Sequence, residues 1–216
     1  MNKKKDLKIV ALTMNLAIIV FEIIGFIIIF KNLGFIALEY YTQDSNLLLL
    51  LSSIILSVYL ILDLKGKKKS LPKWFTALRL CSVLSTTLTF FVVLFILTPE
   101  FDNGLVGAFL DGSMKYHHLL CPILALISYV FYEKYNMKPK DNILALVFTI
   151  IYSIVLMTLN FTKVVAGPYP FFKVYENGVL STFGVGLLIL ACALVLSYGL
   201  VILNKKLCVK KVETLK

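Results

Sequence analysis

Long apolar runs, separated by short lysine-rich connections, leave this chain few folds to adopt. Six such runs cover Leu7–Phe30, Ser45–Leu62, Phe75–Leu97, Tyr116–Tyr132, Asn142–Thr162 and Gly178–Leu203. About 20 apolar residues in a helix cross a ~30 Å hydrocarbon core; each run is near that length, and the fourth is the shortest. Lipid offers no partner to a free backbone amide, so a spanning segment is a helix or part of a closed barrel. Barrel strands alternate apolar and polar side chains over ~10 residues, whereas these runs are rich in Leu, Ile and Val on all sides. The expectation is an all-α polytopic membrane protein, a single domain over residues 1–216 built as a six-transmembrane-helix bundle. Its first partner is the lipid bilayer of the cell membrane. Composition agrees, because 59% hydrophobic and 16% charged residues leave too little polar surface for a soluble domain of 216 residues.

The lysines orient the bundle. Lys3, Lys4, Lys5 and Lys8 open the chain, and Lys65, Lys67, Lys68, Lys69 and Lys73 fill the second connection. Lys134, Lys138 and Lys140 lie in the fourth, and Lys205, Lys206, Lys210, Lys211 and Lys216 follow the sixth run. The first, third and fifth connections carry only Lys31, Lys115, Lys163 and Lys173. The positive-inside rule then places the N-terminus and the C-terminus in the cytoplasm. The same lysines explain the net charge of +10, so nucleic acid is not an expected partner. The first run is too long for a signal h-region and ends without a small-residue cleavage site, which predicts an uncleaved helix. Cys81, Cys121, Cys192 and Cys208 lack ligand spacing, and no phosphate loop or nucleophile elbow occurs. No metal, disulfide or cofactor is expected. The Lys- and Ile-rich composition hints at a bacterial source, and the oligomeric state is not legible.

Within an apolar chain, function is sought where polar residues gather. One cluster, Tyr40-Tyr41-Thr42-Gln43-Asp44-Ser45-Asn46, enters the second run. Lys115-Tyr116-His117-His118 enters the fourth, with Cys121-Pro122 just inside, and Gly167-Pro168-Tyr169-Pro170-Phe171-Phe172 joins the fifth to the sixth. The expected topology brings all three to the outer face. Thr42, Asp44 and Ser45 also suit a helix cap, the tyrosines an interfacial belt, and the Gly-Pro-Tyr-Pro run a rigid turn. His117 and His118 are the chain's only histidines; adjacent on a helix, they point about 100° apart. Pro122 lacks the amide that would bond the His118 carbonyl, so the backbone there is expected to be distorted. A histidine near neutral pH is a candidate base for a threonine nucleophile. Glu22 lies about 22 Å along the first helix, in its outer half; a structural hydrogen bond and a pocket role suit it equally. Arg79, one turn into the third run, is expected to snorkel to head groups, and Asn160 to bond across helices.

Tyr41-Thr42-x-x-Ser45-Asn46-Leu47, Leu78-Arg79 with Thr89, His118-x-x-x-Pro122 and Tyr169-Pro170-Phe171 together resemble the ordered motifs of the Pr6Pr family of bacterial integral membrane proteins. That family is distantly similar to the FAR-17a, androgen-induced membrane threonine hydrolases, which cleave esters of fatty acids with hydroxy fatty acids. The resemblance implies Thr42 as nucleophile. The bacterial spacing selects His118 as base, and the eukaryotic spacing, one residue longer, selects His117. On this reading Ser45, Asn46 and Tyr169 bind a lipid-like substrate or stabilise an oxyanion, and Glu22 joins them as a substrate-binding residue. The competing expectation is a non-enzymatic protein that binds or transports a lipid or small molecule. No internal repeat supports transport.

Overall fold

The computed structural model describes residues 3–67 and 71–209. Of the orienting lysines, Lys68, Lys69, Lys210, Lys211 and Lys216 lie outside the described residues. Every regular element among the described residues is helical. α1 (Lys3–Leu33) turns through Gly34–Glu39 into α2 (Tyr41–Leu64), and an ion pair between Lys8 and Asp63 closes the far end of this hairpin. α3 (Lys73–Val92) runs on as a π turn, Val93–Leu97. A short α4 (Leu105–Leu110) precedes a second π turn, Lys115–Leu120, which leads into α5 (Cys121–Phe131). α6 (Pro139–Ala145) and α7 (Val147–Phe161) are separated by Leu146. One turn, α8 (Val174–Asn177), leads to α9 (Val179–Asn204).

Among the described residues, five helices are long and apolar enough to cross a membrane: Lys5–Glu39, Tyr41–Leu64, Lys73–Glu100, Asp141–Phe161 and Val179–Cys208. In length and composition they are compatible with a multi-pass membrane protein. The fourth apolar run differs. Its 6-residue π turn and 11-residue helix reach at most about 25 Å at ~1.5 Å per residue, short of a ~30 Å core.

The helices are sorted by face. On α1, Ile9, Leu16, Val20, Ile23 and Ile27 are exposed, while Ala11, Asn15, Ile18, Glu22 and Phe26 are buried. Both sets advance by three, four or seven residues, so each is one stripe. α2 repeats the pattern, with Leu47, Leu51, Ile54 and Val58 outward and Ser45, Asn46, Leu49, Ser52 and Leu56 inward. Where lipid replaces water, apolar side chains face out and small or polar ones pack helix on helix. α3 is the central helix. Its most apolar window is 61% buried, against 28–33% for the other four spans. Some of its inward hydroxyls bond back within the helix, as when Thr86 donates to the Ser82 carbonyl at 3.0 Å and Thr89 to that of Ser85 at 3.1 Å, and Ser82 also meets Ser52 of α2 at 2.8 Å.

Arg79 does not snorkel. It is fully buried, and its guanidinium clasps Glu133 through Nε (3.0 Å) and Nη2 (2.8 Å). Nη1 donates to Ser52 (3.0 Å) and Ser53 (3.1 Å), and Nη2 also donates to Asn15 (2.8 Å). Glu133 in turn accepts from Ser128 at 2.6 Å and Tyr135 at 2.7 Å. A bidentate pair with its remaining donors and acceptors occupied is stable away from water. It ties α1, α2, α3 and the end of α5 together at the lysine-rich end of the bundle. Asn204 adds α9 by donating to the carbonyls of Tyr129 and Glu133, each at 2.6 Å.

Candidate functional site

At the opposite end, the three polar clusters meet. Thr42 and Gln43 open α2; Tyr40 is the residue before the first turn, and no side chain of its own caps that turn. Ser45 donates to the Thr42 carbonyl (3.0 Å) and lies 3.2 Å from the Thr89 hydroxyl. Neither Thr42 nor Ser45 therefore acts as the helix cap. The Tyr169 hydroxyl faces this turn instead, within the influence of the Thr42 side chain and the backbone of Tyr41 and Thr42. Burial pushes the Tyr169 phenol up to about 12, against those Thr42 and backbone contacts. It is a neutral O–H group. The loop carrying it is held by Asn160, whose Nδ2 donates to the Val165 and Ala166 carbonyls (3.3 and 2.5 Å) and whose Oδ1 accepts from the Val174 amide (2.9 Å). Asn160 thus ties the fifth connection, including the first residue of α8, rather than a neighbouring long helix.

The π turn separates the two histidines. The Cys121 amide bonds the Tyr116 carbonyl, five residues back. In that register the next amide would belong to Pro122, which has none, so the freed carbonyl is that of His117 rather than His118. Asn46 fills the gap: its Nδ2 donates to the His117 carbonyl at 3.1 Å and to the Thr42 carbonyl at 2.8 Å. One amide side chain thereby couples the first turn of α2 to the histidine turn.

His118 points into a cavity of about 510 Å³, whose lining includes Thr42, Gln43, Tyr40, Tyr169 and Lys173. Its Nδ1 lies 2.8 Å from the Ala108 carbonyl. A carbonyl only accepts, so Nδ1 carries the proton and Nε2 of the neutral ring keeps its lone pair. Phe101 and Phe109 flank the ring edge-on at 6.1 and 6.3 Å between centroids. Ala108 and Phe109 belong to α4, which folds back between Gly104 (φ +53°) and Gly112 (φ +43°), turns that favour glycine. An apolar slot adjoins this cavity and shares Thr42, Val93, Leu97 and Tyr169 with it; Leu88, Val92, Phe172 and Ile189 line its depth.

His117 faces away from the cavity, into α1. Its Nε2 lies 3.3 Å from Glu22 Oε2, yet the approach is oblique, and neither group makes a well-angled hydrogen bond among the described residues. The ring packs on Phe26 at 4.8 Å and over Gly25, where a Cβ would collide with Nε2. Gly25 is the notch that admits the imidazole. Gly25→Ala is therefore expected to cost about 1–3 kcal/mol by overpacking, and adding His117→Ala should recover part of it. Thermal unfolding of both variants in detergent measures this; additive losses would contradict the notch.

Of the residues selected from the sequence, Thr42, His118 and Tyr169 share the cavity. Ser45 and Asn46 bond the backbone beneath it, and Glu22 and His117 sit against each other behind it. Gln43 and Lys173 line the cavity without having been singled out. Gln43 stood inside the Tyr40–Asn46 cluster, whereas Lys173 carried no signal apart from following the Tyr-Pro-Phe turn. No hydrogen bond joins Thr42 to His118 among the described residues. No group of three His, Cys, Asp or Glu residues suited to a metal occurs among them. No family model, curated protein or solved structure matches the chain.

Proposed function

We propose that the chain is a six-span protein of the cell membrane, with the short Lys115–Phe131 segment crossing a locally thinned bilayer as the fourth span and both termini cytoplasmic, that hydrolyses a lipid-like ester at its outer end. The observation that carries this reading is the shared cavity: Thr42 and His118, from distant parts of the sequence, line one chamber, and His118 turns its unprotonated nitrogen away from the Ala108 anchor. The slot beside Thr42, of about 40 Å³, has room for only the first carbons of an acyl group. The motifs resembling the Pr6Pr family and the FAR-17a hydrolases support the same pair.

In this scheme the Thr42 oxygen adds to the ester carbonyl carbon as its proton passes to His118 Nε2. The ester C–O bond breaks, and the alcohol leaves with that proton. Water then adds to the acyl-threonine, His118 taking and returning a proton, and the acid departs. Tyr169 keeps its proton and serves as the donor to the carbonyl oxygen as charge develops there. Purified protein in lipid nanodiscs should hydrolyse a fatty-acid ester, and Thr42→Ala should reduce the rate by about a hundredfold or more. Equal rates in the two proteins would refute the mechanism.

A second reading, binding of a lipid or small molecule without reaction, is favoured by the missing Thr42–His118 hydrogen bond. It predicts saturable binding of the same ester, no turnover, and unchanged affinity in His118→Asn.

A further inference from the structure

The lysine-rich end holds a second chamber that the ester chemistry does not use. It has a volume of about 480 Å³ and lies between the start of α3 and the loop that leads into α6. Lys73, Lys134 and Lys138 line it, with Asn136 as a neutral polar group. One carboxylate, Asp141, shares the lining, but its Oδ2 accepts from the Lys138 backbone amide at 2.7 Å. Three lysines against this one carboxylate leave the lining net positive. The wall is firm, because Tyr135 is buried and bonded to Glu133 of the Arg79 cluster.

The mouth of this chamber is apolar. Trp74 is 59% exposed there and Leu144 is 48% exposed. Past Leu144, the exposed residues Val147, Ile151 and Ile154 continue an outward stripe along α7. An indole at the rim is typical of the headgroup level of a bilayer. Cations at that level, joined to an apolar track running down the bundle, match a ligand with a phosphate at one end and acyl chains at the other.

We infer that this chamber binds the headgroup of an anionic phospholipid, with its acyl chains lying along the outward face of α6 and α7. Free phosphate offers the same anion without the chains, so the track is what selects the lipid. Lys73 and Lys138 are exposed, and their replacement leaves the buried Arg79 cluster intact.

Trp74 is the only tryptophan in the chain, which makes its fluorescence a built-in reporter. The test uses the full chain in nanodiscs of phosphatidylcholine doped with phosphatidylglycerol, with bromine on the acyl chains of one lipid at a time. Brominated phosphatidylglycerol should quench Trp74 at a mole fraction about tenfold lower than brominated phosphatidylcholine, and Lys73→Gln with Lys138→Gln should abolish that preference. High salt should weaken it. Equal quenching by the two lipids, or an unchanged preference in the double variant, would overturn the inference. Full displacement of the lipid by inorganic phosphate at matched concentration would overturn it too, since the site would then read the anion alone.

Discussion

His118→Asn is expected to lower ester hydrolysis by about a hundredfold to ten-thousandfold, the usual range for a lost general base. The substitution is chosen for its geometry. The asparagine amide reaches the Ala108 carbonyl that Nδ1 now contacts at 2.8 Å, so the ring's anchor is kept while the Nε2 lone pair is lost. His117→Asn is the matching control. That ring sits behind the cavity against Glu22 and Gly25, so its loss should reduce stability while leaving the rate per folded molecule within about tenfold, well below the cost of losing a base. Initial rates, corrected for folded fraction, measure both. A larger loss in His117→Asn would move the base to the other histidine. Thr42 and His118 act as a unit, so combining Thr42→Ala with His118→Asn should cost little more than either alone.

Arg79→Met is expected to destabilise the bundle by about 3–5 kcal/mol, because Glu133 would be left buried without its counter-charge. Five hydrogen bonds from the guanidinium to Glu133, Ser52, Ser53 and Asn15 disappear together. Removing the carboxylate as well, in Arg79→Met with Glu133→Gln, should recover part of the loss, since the orphaned charge rather than the missing contact dominates the cost. Unfolding in mixed micelles with increasing denaturing detergent reports the difference. A loss below about 1 kcal/mol, the range of an exposed pair, would mean that Arg79 reaches water or head groups after all.

The fate of Arg79 shows what hydropathy reading lacks. The lysines sit at chain ends and connections, and their pattern is local. Arg79 also lies near a helix end, so snorkelling fits its position; its real partners, Asn15, Ser52 and Glu133, come from α1, α2 and the connection after α5 and leave no local trace. The apolar runs were legible because each helix must satisfy its own backbone in lipid. The fourth run was the least regular for the same reason, since Pro122 removes one amide and the chain answers with a π turn. That turn was legible only in part: the proline marked a distortion, but the i to i+5 register moved the freed carbonyl from His118 to His117, where Asn46 meets it. The cavity's polar residues gathered from motifs already visible in the chain. The fold-back of α4 over His118 did not show, because its six residues, Leu105–Leu110, are too few to carry a helical period.

The most direct test of the proposed chemistry is to label the nucleophile covalently through phosphorus. A reactive fatty-acyl phosphonate or fluorophosphonate, incubated with the full chain in nanodiscs, should add one group to the protein, located on Thr42 by peptide mass spectrometry. Labelling should fall sharply in His118→Asn and vanish in Thr42→Ala, while His117→Asn keeps it. An unlabelled Thr42 in protein that turns over ester, or labelling of Thr42→Ala to the wild-type level, would contradict the account.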